Sequence, residues 1–247
     1  MSVIKKTNII YQLFLRGIFM KKLLLAATTA AIMTGAGTAS AIEISGNVGM
    51  ATDYVFRGQS QTGEEAAISG GFDLGFDSGL YVGTWASNVN YGDGATAEMD
   101  FYVGYGFDVS EDITLDFSLV KYVYPGNQTY NYEEYIASTS LYGLDVTVLH
   151  SPEYLGDGGE SFMYYNLGYG FDLPYDIALG LNVGLNDSDG AFIGGETGDD
   201  DYVDYAVSLS KEVYGVEWGV TYYDTDIDGD VNELADARFV LSISKSL

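Results

Sequence analysis

Four aspartates at alternate positions, Asp224, Asp226, Asp228 and Asp230, with Gly229 between the last two, form the most specific chemical pattern in the chain. They match the opening of a calcium loop, in which alternate carboxylates and a glycine turn wrap oxygen ligands around the ion. The twelfth position from Asp224 is Ala235, so the bidentate glutamate that would complete the loop is absent, and the flanking segments read as strands rather than helices. A solvated acidic loop with weak Ca2+ affinity at best is expected, the run at 199–201 is read in the same way, and no other cofactor is anticipated. Hydrolytic chemistry has even less to work with. A general base is most often histidine, and only His150 is present, with no Ser and Asp arranged around it. It reads as a structural or interfacial residue. Cysteine is absent, which removes thiol chemistry. Glu133 and Glu134 are adjacent, so they fall on opposite faces of a strand and cannot act as a pair unless a bulge intervenes. The chain is not expected to be an enzyme.

A second set of charged residues is spread along the chain: Asp53, Arg57, Asp73, Glu98, Asp100, Asp116, Asp204, Glu217 and Arg238. Each sits in the polar row of a segment that alternates with period two. The clearest such segments meet at residues 162–186. Met163, Tyr165, Leu167, Tyr169, Phe171 and Leu173 share one side, opposite Tyr164, Asn166, Gly168, Gly170 and Asp172. After a turn at Pro174, Tyr175 and Asp176, the row Ile177, Leu179, Leu181, Val183 and Leu185 opposes Ala178, Gly180, Asn182, Gly184 and Asn186. These are two antiparallel strands. Their second face carries Gly, Asn and Asp instead of a solubilising spread of Lys and Glu, which is the signature of a membrane-spanning β-strand.

Twelve such strands are expected, at residues 43–57, 68–77, 80–89, 98–108, 113–124, 132–142, 145–151, 162–173, 177–186, 201–210, 216–223 and 237–247. Alternation assigns no facing to the third, sixth and seventh. In the fifth, Lys121 lies on the apolar row, where it can snorkel to the interface. Connections alternate too. Tight turns follow the even strands, near Ser78, Glu111, Gly143, Pro174 and Tyr214, and longer polar loops follow the odd ones, at 58–65, 90–95, 125–131, 152–160, 187–200 and 224–236. Short periplasmic turns and long external loops belong to outer-membrane barrels. An open sheet edge is not tolerated in hydrocarbon, so the sheet must close. The expected fold is all-β: an antiparallel up-and-down transmembrane β-barrel of about 12 strands with periplasmic termini. A soluble β-sandwich or lipocalin-like barrel would direct the apolar rows inward instead.

Met20-Lys21-Lys22, the apolar run 23–33 and the small residues ending at Ala39-Ser40-Ala41 read as a secretory signal peptide cleaved before Ile42. Residues 1–19 read as an over-extended start, 20–41 as the signal and 42–247 as a single barrel domain. No later stretch approaches the roughly 20 apolar residues of a spanning helix. Five of the ten Lys and Arg residues precede position 42, which leaves five against 36 Asp and Glu, a net −31 for the mature chain. Such a chain repels nucleic acid and attracts cations. High charge with little apolar content would indicate disorder; at 47% hydrophobic and 15% aromatic the chain is instead ordered, and its 22 tyrosines suit aromatic girdles.

Asp53-Tyr54-Val55-Phe56-Arg57-Gly58 with Ser60 and Thr62, Trp85-Ala86-Ser87-Asn88-Val89, Tyr124-Pro125-Gly126 and Ser151-Pro152-Glu153-Tyr154 together resemble the TorF-type porin family of proteobacteria, formerly conserved hypothetical outer-membrane proteins. The resemblance spans the mature chain and implies an exported outer-membrane barrel without an established substrate. Many outer-membrane barrels end in an aromatic residue, whereas this chain ends in Leu247, two after Lys245.

The expected function is passive diffusion of small solutes through a Gram-negative outer-membrane porin with cation preference, since carboxylate rings select cations. The alternative is a structural or adhesive barrel acting through its acidic external loops, its interior merely filled. Arg57, near the external end of the first strand, is expected to pair with Asp53 and shape a constriction. Expected partners are outer-membrane lipid, small solutes or cations and further copies of the barrel in a homo-oligomer; nucleic acid is not among them.

Overall fold

The computed structural model describes residues 42–190, 200–227 and 233–247. The signal peptide and the start at Met20, Asp199, Asp228, Gly229 and Asp230 lie outside these residues. The chain begins with β1 (Glu43–Ala51), two very short strands β2 (Val55–Phe56) and β3 (Gln59–Ser60), then β4 (Ala67–Gly75), β5 (Leu80–Asn88), β6 (Ala97–Ser110) and β7 (Ile113–Val123). It continues with β8 (Tyr132–Leu141), β9 (Leu144–Ser151), β10 (Phe162–Leu173), β11 (Ile177–Ser188), β12 (Asp201–Val213), β13 (Val216–Thr225) and β14 (Arg238–Ser246). All but β2 and β3 form one closed barrel of twelve strands in which each pairs antiparallel with its sequence neighbour. The seam joins β1 to β14, from Asn47 opposite Ser246 to Ala51 opposite Ser242.

Closure follows from what each strand presents on its two sides. On β11, Leu181, Val183 and Leu185 are exposed outward beside Tyr169, Leu167 and Tyr165 of β10. The opposite row, Gly180, Asn182 and Gly184, faces Gly170, Gly168 and Asn166 across the same ladder, inside the barrel. Apolar residues therefore point away from the interior all round the wall, with Ile44, Phe72, Phe101, Phe117, Trp218 and Phe239 all more than a third exposed. This excludes the soluble-barrel alternative, whose apolar rows would be buried. Among the described residues no helix is long and apolar enough to cross a membrane. At one end the connections are tight. Tyr142-Gly143 and Tyr214-Gly215 are two-residue turns with positive φ at both positions (51° and 85°, 55° and 73°), the geometry that matches the twist of paired strands. The longer connections depart from the opposite ends of the strands.

The three unassigned facings are now fixed. Trp85 of β5 points inward and packs edge-on against Tyr54, ring centroids 5.4 Å apart. On β8, Tyr132, Glu134 and Ile136 point inward and Glu133 outward, where it binds Lys121 at 3.1 Å. On β9, Leu149 and Ser151 are buried inside and His150 lies on the outer side.

The first strand differs from expectation. It ends at Ala51 rather than Arg57, and residues 52–66 do not form an outward loop. They fold back into the barrel, where Asp53, Tyr54, Val55, Phe56 and Arg57 are all between 2% and 7% exposed. Alternation fails here because the segment has wall on every side. The main hydrophobic core consequently lies within the barrel, in its long-loop half, and is built largely of tyrosines: Tyr54, Tyr122, Tyr124, Tyr132, Tyr154 and Tyr164 with Phe56 and Phe162.

Candidate functional site

The inward segment is organised by Asp53. One carboxylate oxygen accepts the hydroxyls of Ser60 (2.7 Å) and Thr62 (2.8 Å), which turns the chain back on itself, and the other accepts Arg238 Nη1 of β14 at 3.1 Å. Between these anchors β2 and β3 form a miniature hairpin, Phe56 opposite Gln59, separate from the barrel sheet. Its tip is Arg57-Gly58, with φ of 49° and 80°. Both values suit a two-residue hairpin turn, and they place a non-glycine residue in the left-handed region. Gly58 is constrained by space as well, because a Cβ there would meet Thr225 Cγ2 at 2.3 Å.

The tip carries a cation into the interior. Arg57 Nη2 donates to Glu134 Oε1 at 2.7 Å, and Tyr122 donates to the other oxygen of Glu134 at 2.9 Å. Four rings surround the guanidinium, Phe56, Tyr164, Phe162 and Tyr154, with centroids 4.4, 4.7, 5.0 and 5.4 Å from Cζ. Cations are attracted to ring faces within about 6 Å, most strongly when desolvated. Tyr202 of β12 donates to the Arg57 carbonyl at 2.9 Å. The expected Arg57–Asp53 pair is therefore replaced by two long-range pairs, Arg57 with Glu134 and Asp53 with Arg238. The reversal at Arg57-Gly58, at the tip between Phe56 and Gln59, turns the two residues toward different walls.

The other sequence-derived lining residues divide by depth. Glu98 is buried beside the hairpin, its oxygens accepting Tyr54 (2.7 Å) and Tyr124 (2.6 Å). Asp100, one inward position along β6, is buried, and neither carboxylate oxygen has a hydrogen-bond partner. Asp204 accepts Asn186 at 2.8 Å. Asp116 accepts Tyr81 at 2.9 Å, and Asp73 accepts Tyr102. Glu217 lies near the tight-turn end, opposite Ser244. All nine thus lie inside the barrel, but Asp53, Arg57, Glu98, Asp100 and Asp204 are packed around the hairpin rather than lining open space. Below it the wall is small and polar: Gly168, Gly180, Asn166, Asn182, Ser208 and Ser242 occupy inward rows. A Cβ at Gly170 would touch nothing within 4 Å.

Sequence reasoning missed Glu134, Trp85, Asn186 and the tyrosine hydroxyls that satisfy the buried acids. The signal was present in Tyr54-Val55-Phe56, three successive apolar residues where a wall strand should alternate. For the acidic loop, Asp224 accepts Tyr222 OH (2.8 Å) and Thr225 N (3.0 Å), and Asp226 accepts Val203 N (2.7 Å), so both carboxylates already serve the protein. Among the described residues no group of three or more acids and histidines is arranged to hold a metal ion.

A twelve-stranded up-and-down barrel, apolar outside and charged inside, defines a barrel of the porin fold. The chain belongs to the family described as "Bacterial protein of unknown function (Gcw_chp)", whose pattern matches residues 35–247. Among solved structures it is similar to one described as "KdgM porin", with 9% identity and a TM-score of 0.52, covering 82% of this chain and 99% of that one. It is similar also to a NanC porin, with 10% identity, a TM-score of 0.53 and coverage of 82% and 98%. At such identities the likeness is one of fold. No curated protein matches the sequence.

Proposed function

We propose that the protein resides in the bacterial outer membrane, with its tight turns and termini on the periplasmic side, and conducts small solutes with a preference for cations. The outward apolar belt supports lipid as its surroundings, because a closed barrel is one of the two structures that satisfy every backbone group in hydrocarbon. The porin fold and the resemblance to TorF-type porins favour a channel over an enzyme.

One observation carries the cation preference. Of the five basic residues in the described barrel, Lys121, Lys211 and Lys245 lie on outward rows. The two that point inward, Arg57 and Arg238, are both bound to carboxylates at the hairpin. Among the described residues the other charged groups of the lining are acids, Asp73, Asp116 and Glu217 among them, and such a lumen concentrates cations and repels anions. The hairpin then sets the narrowest point of the path. Reversal potentials of the protein in a planar bilayer under a KCl gradient test the reading; anion preference would overturn it. The packed long-loop half favours one second reading, a sealed barrel with a structural or adhesive role, and folded protein that carries no current would establish that instead.

A further inference from the structure

Arg57 occupies a site that is complete without it. Of the groups around its guanidinium, only Phe56 belongs to the hairpin. Glu134 is on β8, Phe162 and Tyr164 are on β10, and Tyr154 is in the 152–161 connection. Tyr154 stacks on Phe162 with centroids 4.0 Å apart and planes at 11°, and meets Tyr132 edge-on at 5.2 Å. Glu134 is held by Tyr122 independently of the hairpin. The wall therefore supplies the carboxylate and three ring faces from its own residues, whether or not the tip is seated. That combination recognises a planar organic cation: the carboxylate takes its N–H groups in a charge-assisted bond and the rings take its face.

We infer that this box is a binding site for free organic cations with a guanidinium head, and that Arg57 is a tethered occupant which such a solute displaces. The hairpin suits a displaceable part. It pairs only within itself, through Val55 with Ser60 and Phe56 with Gln59, and adds no strand to the barrel. Beyond the Arg57–Glu134 pair, the segment is held mostly by side chains: Tyr54 on Glu98, Asp53 and Glu64 on Arg238, Gln59 and the Arg57 carbonyl on Tyr202, and Gln61 on Tyr91, with one backbone bond from Asn90 N to the Gln61 carbonyl. Metal ions without a planar face fit the box poorly, and an anion is repelled by Glu134 and by Glu98 and Asp100 nearby. The inference rests on the channel reading only for its consequence, that a cationic solute opens its own path.

Arg57→Ala removes the occupant beyond Cβ and leaves a space shaped for ethylguanidinium. Calorimetric titration of the detergent-solubilised, folded R57A protein is expected to show saturable binding of ethylguanidinium at least tenfold tighter than of the neutral isostere ethylurea, and adding Glu134→Gln should abolish it. No binding by folded R57A, equal binding of the urea, or indifference to Glu134→Gln would overturn the site. Should R57A not fold, wild-type protein serves: ethylguanidinium but not ethylurea should speed hydrogen exchange at the amides of residues 55–60, and no difference between the two would overturn displacement. In a bilayer the same compound should raise wild-type conductance. Binding to R57A without current from either protein would retain the site and remove the channel reading.

Discussion

Arg238 Nη1 and Asp53 Oδ2 lie 3.1 Å apart although 185 positions separate them in sequence, and they tie the last strand of the barrel to the segment that follows the first. Arg238 is held in turn by the Asp236 and Glu233 carbonyls, at 2.9 and 3.0 Å. The fork is thus fixed before it meets its carboxylate, and it sets where the inward segment leaves the wall.

Arg238→Ala should therefore loosen the inward hairpin as well as the fold. A hydrogen bond to a charged group contributes about 1.5–3 kcal/mol, and loss of that order is expected in urea unfolding of the refolded barrel. Conductance should rise in the same variant. Unchanged stability together with unchanged current would show that the anchor is idle.

Gly58→Ala addresses the tip. The new Cβ would stand 2.3 Å from Thr225 Cγ2, in a backbone conformation with φ of 80° that disfavours side chains. A cost of about 1–3 kcal/mol is expected, with the tip shifted from Glu134 and a larger current. Gly170→Ala is the control: its Cβ points into open interior, and stability should move by less than about 0.5 kcal/mol.

Facing is tested on β11. Leu181 is 41% exposed on the outer row, so Leu181→Arg should impair assembly into lipid by roughly 2–4 kcal/mol. Asn182→Arg, one residue on, loses the reciprocal amide bonds with Asn166 (2.9 and 3.0 Å) but keeps its charge in the interior, and should be tolerated better. Equal yields of folded barrel from the two variants would contradict the assigned faces.

Cation preference should fall as salt rises, since the Debye length shortens from ~30 Å at 0.01 M to ~3 Å at 1 M. Asp73→Asn with Asp116→Asn, both below the hairpin, should reduce it at every salt concentration, as read from shifts in the KCl reversal potential. A preference insensitive to both changes would locate selectivity elsewhere.

The barrel was legible wherever glycine, asparagine or aspartate opposed large apolar residues, as on β10 and β11. It was illegible on β5 and β8 for a physical reason: the long-loop half of the lumen is packed with rings, so Trp85, Tyr132 and Ile136 make the inward row as apolar as the outward one. The inward set of nine charged residues could be found from period alone. Their partners could not, because Glu134 lies on one of the ambiguous strands, and the pairing of Arg57 with it spans 77 positions. Nearness in sequence favoured Asp53 instead, and only the sharp reversal at residues 57–58 turns the guanidinium away from it.

The position of the inward hairpin also bears on how the barrel can assemble. It leaves the wall directly after β1, the strand that must finally zip against β14, and its own contacts from Val55 to Ser60 are short-range. Hairpins of this kind form in about 1–10 μs, whereas pairing strands from opposite ends of a chain is slow because long loops must close first. The tip can thus be folded and laid on the β8 and β10 surface while the sheet is still a curved ribbon, and the closing seam brings Arg238 onto Asp53 as its last bolt. No threading through a finished hoop is required, and a variant that delayed the tip would meet a barrel already shut.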